Sequence, residues 1–319
     1  MNEIRRAAEV LRRGGLVAFP TETVYGLGAD ASSREAMARL YRVKGRPADH
    51  PVIVHFADAA SAFVWASEVP QQARALAAKF WPGPLTLILK RARHVGDFVT
   101  GGQDTVGVRV PAHPLAHALL LEFAGGDGGR RFSGVAAPSA NRFGRVSPTT
   151  ARHVRDDLGA DVDCVLDGGP CGVGIESTIV DVSRSVPVLL RPGGLRVADL
   201  ETVLGITLPT PDACAPRVSG SLAAHYAPLT PTRLVESRAL GAEIARHGRR
   251  VAVLAFCAPE PGVDHWLRMP GEPEGYARRL YAALRDLDAA GCEGILIETP
   301  PETPGWSAVL DRLHRATRT

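Results

Sequence analysis

Apolar positions along this chain fall into two rhythms. Short, nearly continuous apolar runs recur at residues 16–19, 51–56, 85–90, 135–137, 162–167, 177–182 and 188–191. Runs of that length, bounded by Gly, Pro and Asn, predict buried β-strands. Residues 105–111 alternate instead, which predicts a strand with Arg109 on one of its faces. Between these runs the apolar residues return at helical spacing. Residues 4–11, 33–43, 59–66, 71–80, 113–123, 148–158 and 197–204 are therefore predicted helices; in the second, Ala36, Met37, Leu40 and Val43 share a face. Gly14-Gly15 ends the first helix, and Trp81-Pro82-Gly83-Pro84 breaks the chain before the strand at 85–90. Ser147-Pro148 reads as a helix N-cap with proline in the first turn. Residues 177–182 and 188–191 read as a hairpin pair.

The rhythm lapses at residues 207–231, where Pro, Ala, Ser and Thr dominate, and then restarts. Strands are predicted at 233–235, 251–256 and 294–298, with helices ending near 245 and spanning 274–289 and 307–316. Strand and helix in alternation predict an α/β protein. The divisions are a first domain over 1–206, a linker over 207–231 and a small α/β domain with a mainly parallel sheet over 232–319.

Composition narrows the class. The chain has 319 residues, 45% hydrophobic and 22% charged, which is ordinary globular material. A formal net charge of +3 gives no general field for nucleic acid. Cys164, Cys171, Cys214, Cys257 and Cys292 are scattered and form no Cys-x-x-Cys pair. Neither a disulfide framework nor a zinc site is expected, and a reducing cytoplasm fits. No apolar run approaches the ~18 residues of a membrane span.

The candidate chemistry gathers around residues 20–30. Pro20 stops a strand from donating further ladder bonds. Thr21, Glu22 and Thr23 then stand at the strand mouth, where open α/β sheets meet their ligands. Gly26 and Gly28 are expected to let the backbone turn and approach a ligand closely. Further on, Lys44 and Arg46 are spaced to reach one phosphate chain, although a solvated basic turn has the same composition. Arg109 within an apolar strand requires an anionic partner, either a protein carboxylate or a ligand. Ser139 and Asn141, after a short strand, suit phosphate or ribose, or an ordinary turn. Ser177-Thr178 and Arg191 carry the same ambiguity. The glycine- and arginine-rich stretch at 125–131 lacks the Gly-Lys-Ser/Thr ending of a phosphate loop. His113 and His117 have no third ligand in sight, and there is no Gly-x-Ser-x-Gly elbow. Binding groups without a protein nucleophile fit catalysis by positioning and charge neutralisation, as in nucleotidyl or phosphoryl transfer.

Pro20-Thr21-Glu22-Thr23-Val24-Tyr25-Gly26-Leu27, Lys44-Gly45-Arg46-Pro47, Pro138-Ser139-Ala140-Asn141, Ser147-Pro148-Thr149, Ser177-Thr178-Ile179-Val180-Asp181 and Leu190-Arg191-Pro192-Gly193 occur in this order. Together they resemble the YrdC-like family of threonylcarbamoyl-AMP synthases, over about residues 4–205. The trailing domain, with His225-Tyr226-Ala227-Pro228, resembles the family's long two-domain form. The resemblance implies a twisted mixed sheet with flanking helices and a concave basic cleft, followed by a small Rossmann-like domain. It implies synthesis of threonylcarbamoyl-adenylate and pyrophosphate from L-threonine, bicarbonate and ATP, with Mg2+ accompanying the nucleotide and no protein metal site. A tRNA threonylcarbamoyltransferase would take the adenylate onward, with weak RNA binding left open and no membrane partner.

Carried over by position, Thr23, His55, Arg109, Ala137 and Ser177 would hold L-threonine, with Arg109 on its carboxylate. Lys44, Arg46, His50, Thr105, Ser139, Asn141, Ser147, Arg191 and Tyr226 would surround ATP. Lys44 and Arg46 would be catalytic, and Tyr226 would fold the linker over the nucleotide. One departure stands out. The family's linker usually carries a proline-glycine followed by basic residues, whereas here it reads Ser219-Gly220-Ser221-Leu222-Ala223-Ala224, without a cation. Arg130 or Arg131 could compensate. The competing readings are an RNA-binding module with a basic concave face and a carbamoyl-transfer domain acting on another acceptor.

Overall fold

The computed structural model describes residues 2–125, 133–220, 222, 224–247, 250–259 and 262–318. Arg130 and Arg131 lie outside the described residues, as do Ser221 and Ala223 of the linker. The chain divides into two compact units. The first comprises residues 1–143, 148–172 and 176–221; the second comprises 144–147, 173–175 and 222–319.

In chain order the first unit contains α1 (Asn2–Arg12), β1 (Val17–Phe19), β2 (Gly26–Asp30), α2 (Arg34–Lys44), β3 (Ile53–His55), α3 (Ala59–Phe63), α4 (Gln71–Phe80) and β4 (Leu85–Lys90). It continues with α5 (Asp97–Thr100), β5 (Thr105–Arg109), α6 (Pro114–Gly125), β6 (Val135–Ala136), α7 (Ala151–Leu158), β7 (Cys164–Val165), β8 (Thr178–Asp181), β9 (Val188–Arg191) and α8 (Val197–Leu204). Its strands form one mixed nine-stranded sheet in the order β7-β1-β2-β6-β3-β5-β4-β8-β9. The expected hairpin is present, with β8 and β9 antiparallel.

Strand periodicity sorts side chains onto two faces. Ala18, Leu27, Ala29, Val54, Leu85, Leu87, Leu89, Val106, Val108, Ala136 and Val180 join one core with Met37 and Leu40 of α2, Leu76 of α4, Val154 of α7 and Leu200 of α8. The intervening residues point the other way. At one end Val17, Phe19, Val135 and Ala137 pack on Ala7, Ala8 and Leu11 of α1 and Leu119, Leu120 and Phe123 of α6. At the other end Ile88, Ile179, Val188 and Leu190 pack on Val218 of the linker. His55, Thr86, Thr105 and Arg109 share the parity of this second face.

Two local expectations are corrected. Residues 26–30 are a strand, β2, paired antiparallel to β1 with Phe19 opposite Gly26 and Val17 opposite Gly28. Its glycines answer crowding within the sheet rather than a turn. A Cβ at Gly28 would meet Phe19 and Val135 side-chain carbons at 2.9 Å, and one at Gly26 would meet the Ala137 Cβ at 3.1 Å. The helix expected from Pro148 begins instead at Ala151, with Thr150 as its cap accepting from the His153 N–H. The Pro148 carbonyl accepts the Tyr25 N–H at 2.9 Å, which holds this stretch outside the helix. Two short elements carried no usable sequence signal, α5 and a polar strand at His265–Arg268.

The second unit contains β10 (Thr232–Val235), α9 (Ser237–His247), β11 (Val251–Ala255), β12 (His265–Arg268), α10 (Pro273–Asp288), β13 (Gly294–Glu298) and α11 (Ser307–Ala316). Its sheet runs β10-β13-β11-β12, with every pair parallel. No helix among the described residues is long and apolar enough to cross a membrane, and the five cysteines are free thiols.

Gly193 follows β9 and lies tightly against the turn before β8. A Cβ there would stand 2.4 Å from the Glu176 carbonyl oxygen and from the Thr178 nitrogen. Gly193→Ala is expected to destabilise the first unit by about 2 kcal/mol or more, because backbone rather than a side-chain tip must give way. Thermal unfolding followed by circular dichroism checks this as a lowered midpoint.

Candidate active site

The second face of the first sheet carries a set of buried polar groups between its two apolar ends. Arg109 ends β5 and is 4% exposed. Its Nη2 donates to Glu22 Oε1 at 2.6 Å, Nη1 to Thr23 Oγ1 at 3.0 Å and Nε to the Gly83 carbonyl at 3.2 Å. The anion that a buried arginine demands is thus Glu22, delivered by the loop between β1 and β2. Thr23 Oγ1 also bonds Thr21 Oγ1 at 2.7 Å, and Thr21 in turn donates to the Val24 carbonyl. The loop is knotted by its own hydroxyls and presents Glu22 and Thr23 to Arg109.

Arg191, at the end of β9, donates from Nη2 and Nε to the Ser177 carbonyl at 2.8 and 3.2 Å. Ser177 Oγ bonds Thr86 Oγ1 at 2.8 Å, tying β8 to β4. Arg191 Nη1 donates to the Ser219 carbonyl at 2.7 Å. Arg46 Nη2 donates to the Pro51 carbonyl at 2.7 Å and to Ser219 Oγ at 3.3 Å. Ser219 therefore links the two arginines, and its hydroxyl also donates to Pro51. Lys44, at the end of α2, donates to the Ser139 and Asn141 carbonyls, both at 2.5 Å. Gly45 caps the helix in the left-handed conformation (φ 64°) and turns the chain so that Lys44 and Arg46 are both buried. The solvated basic turn is excluded.

Burial, and then the neighbouring Arg46, push the Lys44 ammonium well below the usual lysine range. Burial, and then Arg109, push the His55 imidazole down to about 3. His55 packs edge-on to Phe19 at 6.3 Å, and its Nδ1 has no hydrogen-bond partner. His50 packs edge-on to Phe143 at 5.4 Å, and burial with Arg46 nearby lowers its pKa as well. Thr105 borders a small cavity with Pro51, Ile53, Arg217 and Ser219. Ala137 spends its N–H on the Ile53 carbonyl, so its carbonyl is what it can offer a ligand.

The sequence matches known proteins over both units. Residues 9–193, more than half the chain, match the profile of Sua5, YciO and YrdC proteins, described as telomere recombination. The chain belongs to the Sua5/YciO/YrdC family. Residues 195–317 match the profile described as threonylcarbamoyl-AMP synthase, C-terminal domain. A Pyrococcus abyssi threonylcarbamoyl-AMP synthase is 40% identical, over 99% of this chain and 94% of its own length. A Bacillus subtilis threonylcarbamoyl-AMP synthase is 40% identical, over 98% and 92%. The crystal structure of Pyrococcus abyssi Sua5 complexed with L-threonine superposes with a TM-score of 0.89 at 39% identity, over 98% of this chain and 94% of that one.

Within this Sua5-family chain, the first unit brings together Thr23, Lys44, Arg46, His50, His55, Thr105, Arg109, Ala137, Ser139, Asn141, Ser177 and Arg191. Ser147 and Tyr226 belong to the second unit. There the Ser147 carbonyl accepts from Arg285 Nε. Tyr226 holds a left-handed backbone (φ 61°), stacks on Tyr281 at 5.8 Å and lies 5.3 Å from the Arg312 guanidinium. Three groups at the site carried no assigned role in the sequence: Glu22, Thr86 and Ser219. Glu22 had a usable signal, a carboxylate beside Thr23 in a chain whose buried Arg109 needed an anion. Thr86 and Ser219 had none, since one sits inside an apolar strand and the other in a polar linker.

The depressed His55 pKa has a signed consequence. Folded His55 takes up no proton until about pH 3, whereas an unfolded histidine does so near 6.5. Its contribution is fully present above about pH 6.5 and is lost as pH falls toward 3, with a slope of at most about 1.4 kcal/mol per pH unit. His55→Gln is expected to flatten the fall in stability over that window. Thermal unfolding of both proteins from pH 7 to pH 4 checks it, and parallel slopes would contradict it.

Proposed function

We propose that this protein is a threonylcarbamoyl-AMP synthase, making threonylcarbamoyl-adenylate and pyrophosphate from L-threonine, bicarbonate and ATP. One observation carries the reading: Lys44, Arg46, Arg109 and Arg191 are all buried in one unit of a chain that matches proteins of that name over nearly its whole length. Buried cations held by carbonyls and hydroxyls are prepared for polyanions, because their desolvation has already been met by the fold.

Arg109 receives the carboxylate of L-threonine, with Thr23, His55, Ser177 and the Ala137 carbonyl around the rest of the amino acid. The threonine ammonium releases a proton to solvent, the resulting amine nitrogen bonds to the carbon of bicarbonate, and water leaves to give the carbamate. A carbamate oxygen then bonds to the α-phosphorus of ATP as the bond to the bridging oxygen breaks, releasing pyrophosphate. Lys44, Arg46 and Arg191 hold the phosphates in line and offset the charge that develops on them. The bonds of Lys44 to the carbonyls of Ser139 and Asn141 support assigning these two residues to the nucleotide side.

No cluster of three or more His, Cys, Asp or Glu side chains among the described residues could hold a metal ion. Mg2+ would accompany ATP on its phosphates and would add charge neutralisation to that of the protein cations. The adenylate is a mixed anhydride, and a tRNA threonylcarbamoyltransferase is its fitting acceptor.

Incubation with ATP, Mg2+, bicarbonate and single amino acids is expected to release pyrophosphate with L-threonine and without RNA, and mass spectrometry is expected to find the adenylate. A requirement for RNA would overturn the reading. Lys44→Ala and Arg46→Ala are each expected to lower adenylate formation by about 100-fold or more, with thermal unfolding reporting whether the fold is kept. Wild-type turnover in either variant would remove that residue from the mechanism.

A further inference from the structure

We infer that Glu22 recognises the ammonium group of the amino-acid substrate while its partner Arg109 recognises the carboxylate, so that one ion pair of the protein reads both charges of a zwitterion. This rests on the reading of L-threonine as substrate. Arg109 has five N–H donors, and three are committed, to Gly83, Thr23 and Glu22. One hydrogen remains on each Nη nitrogen. Two donors on a planar fork are what a carboxylate accepts in a paired contact.

Glu22 has matching spare capacity. Oε1 accepts from Arg109 at 2.6 Å and Oε2 from the Ala112 N–H at 3.2 Å. An ionised carboxylate has about four lone-pair positions, so about two stay open. The side chain of Glu22 is 15% exposed against 4% for Arg109, which leaves a ligand a route to the carboxylate. In a free α-amino acid the ammonium and the carboxylate are attached to the same carbon. Docked with its carboxylate on Arg109, the substrate carries its positive end beside the carboxylate already paired to that arginine.

His55 and Thr23 do not supply this charge. His55 is held neutral beside Arg109, and Thr23 Oγ1 already bonds Arg109 and Thr21. Among the described residues, Glu22 is the carboxylate in ion-pair contact with Arg109. Recognition of this kind selects free amino acids against acids that lack the amine, because a hydroxyl in its place can donate to Glu22 but brings no positive charge to meet the carboxylate.

The test compares L-threonine with 2,3-dihydroxybutyrate of matching configuration, in which a hydroxyl replaces the amine, by calorimetric binding to the full-length protein. The wild type is expected to prefer L-threonine by about 100-fold. Glu22→Gln is expected to weaken L-threonine about 30-fold and to change the hydroxy acid little, so the preference collapses. A variant that weakens both acids equally would overturn the proposal and leave Glu22 as a positioning residue for Arg109. A wild type that binds both acids alike would overturn it without any variant, which covers a variant that fails to fold. A wild type that binds no L-threonine would remove the substrate reading and this proposal together. That outcome is distinct from failure of the Glu22 assignment alone, in which L-threonine still binds.

Discussion

Burying several cations within one compact unit is the constraint from which the architecture of the first unit follows. Removing an ammonium or guanidinium from water costs several kcal/mol unless dipoles or anions replace the lost hydration. Here the replacements come from the ends of strands and from the loops that follow them. Carbonyls of Ser139 and Asn141 hold Lys44, the Ser177 and Ser219 carbonyls hold Arg191, and Glu22 holds Arg109. The glycines and prolines around these positions are readable in the same terms. Gly45 turns the chain so that Lys44 and Arg46 both enter the site, and Gly193 lets the turn after β9 lie on the backbone that carries Ser177.

The linker belongs to the same physics. Residues up to 220 do not hang free. Val218 packs with Ile88 and Ile179, Arg217 exchanges hydrogen bonds with Gln103, and Ser219 joins Arg46 to Arg191. A serine there contributes dipoles and no charge. Ser219 partners cations already in place. The apolar ends of the sheet face, one under α1 and α6 and the other under Val218, leave the polar middle as the part able to take a ligand.

Much of this was written in the chain's periodicity. Alternation at 105–111 put Arg109 and Thr105 on one face, and apolar spacing at 33–43 gave α2 and so the position of Lys44. Motif order carried the family and named most of the polar side chains that the first unit gathers, because each motif is a short stretch whose backbone shape is set locally by Pro, Gly, Ser and Thr. Residues 26–30 were misjudged because glycine has two uses. It permits unusual backbone angles, and it also admits a neighbour where a Cβ would collide. Sequence alone does not tell them apart. Ser147-Pro148 failed for a related reason, since a tertiary bond from Tyr25 took the Pro148 carbonyl and moved the cap to Thr150.

The sequence by itself determined the class of most elements, the division into two α/β parts, and which side chains were available to bind an anion or a small zwitterion. It did so because period and local backbone preference act over a few residues at a time. Only the tertiary structure decided the partners. Glu22 meets Arg109 across 87 positions and Ser219 meets Arg46 across 173. Strand order and pairing register, which no local pattern encodes, choose those neighbours. Tertiary packing likewise lowered the pKa values of Lys44 and His55, since desolvation depends on everything that surrounds a group and not on what adjoins it in the chain.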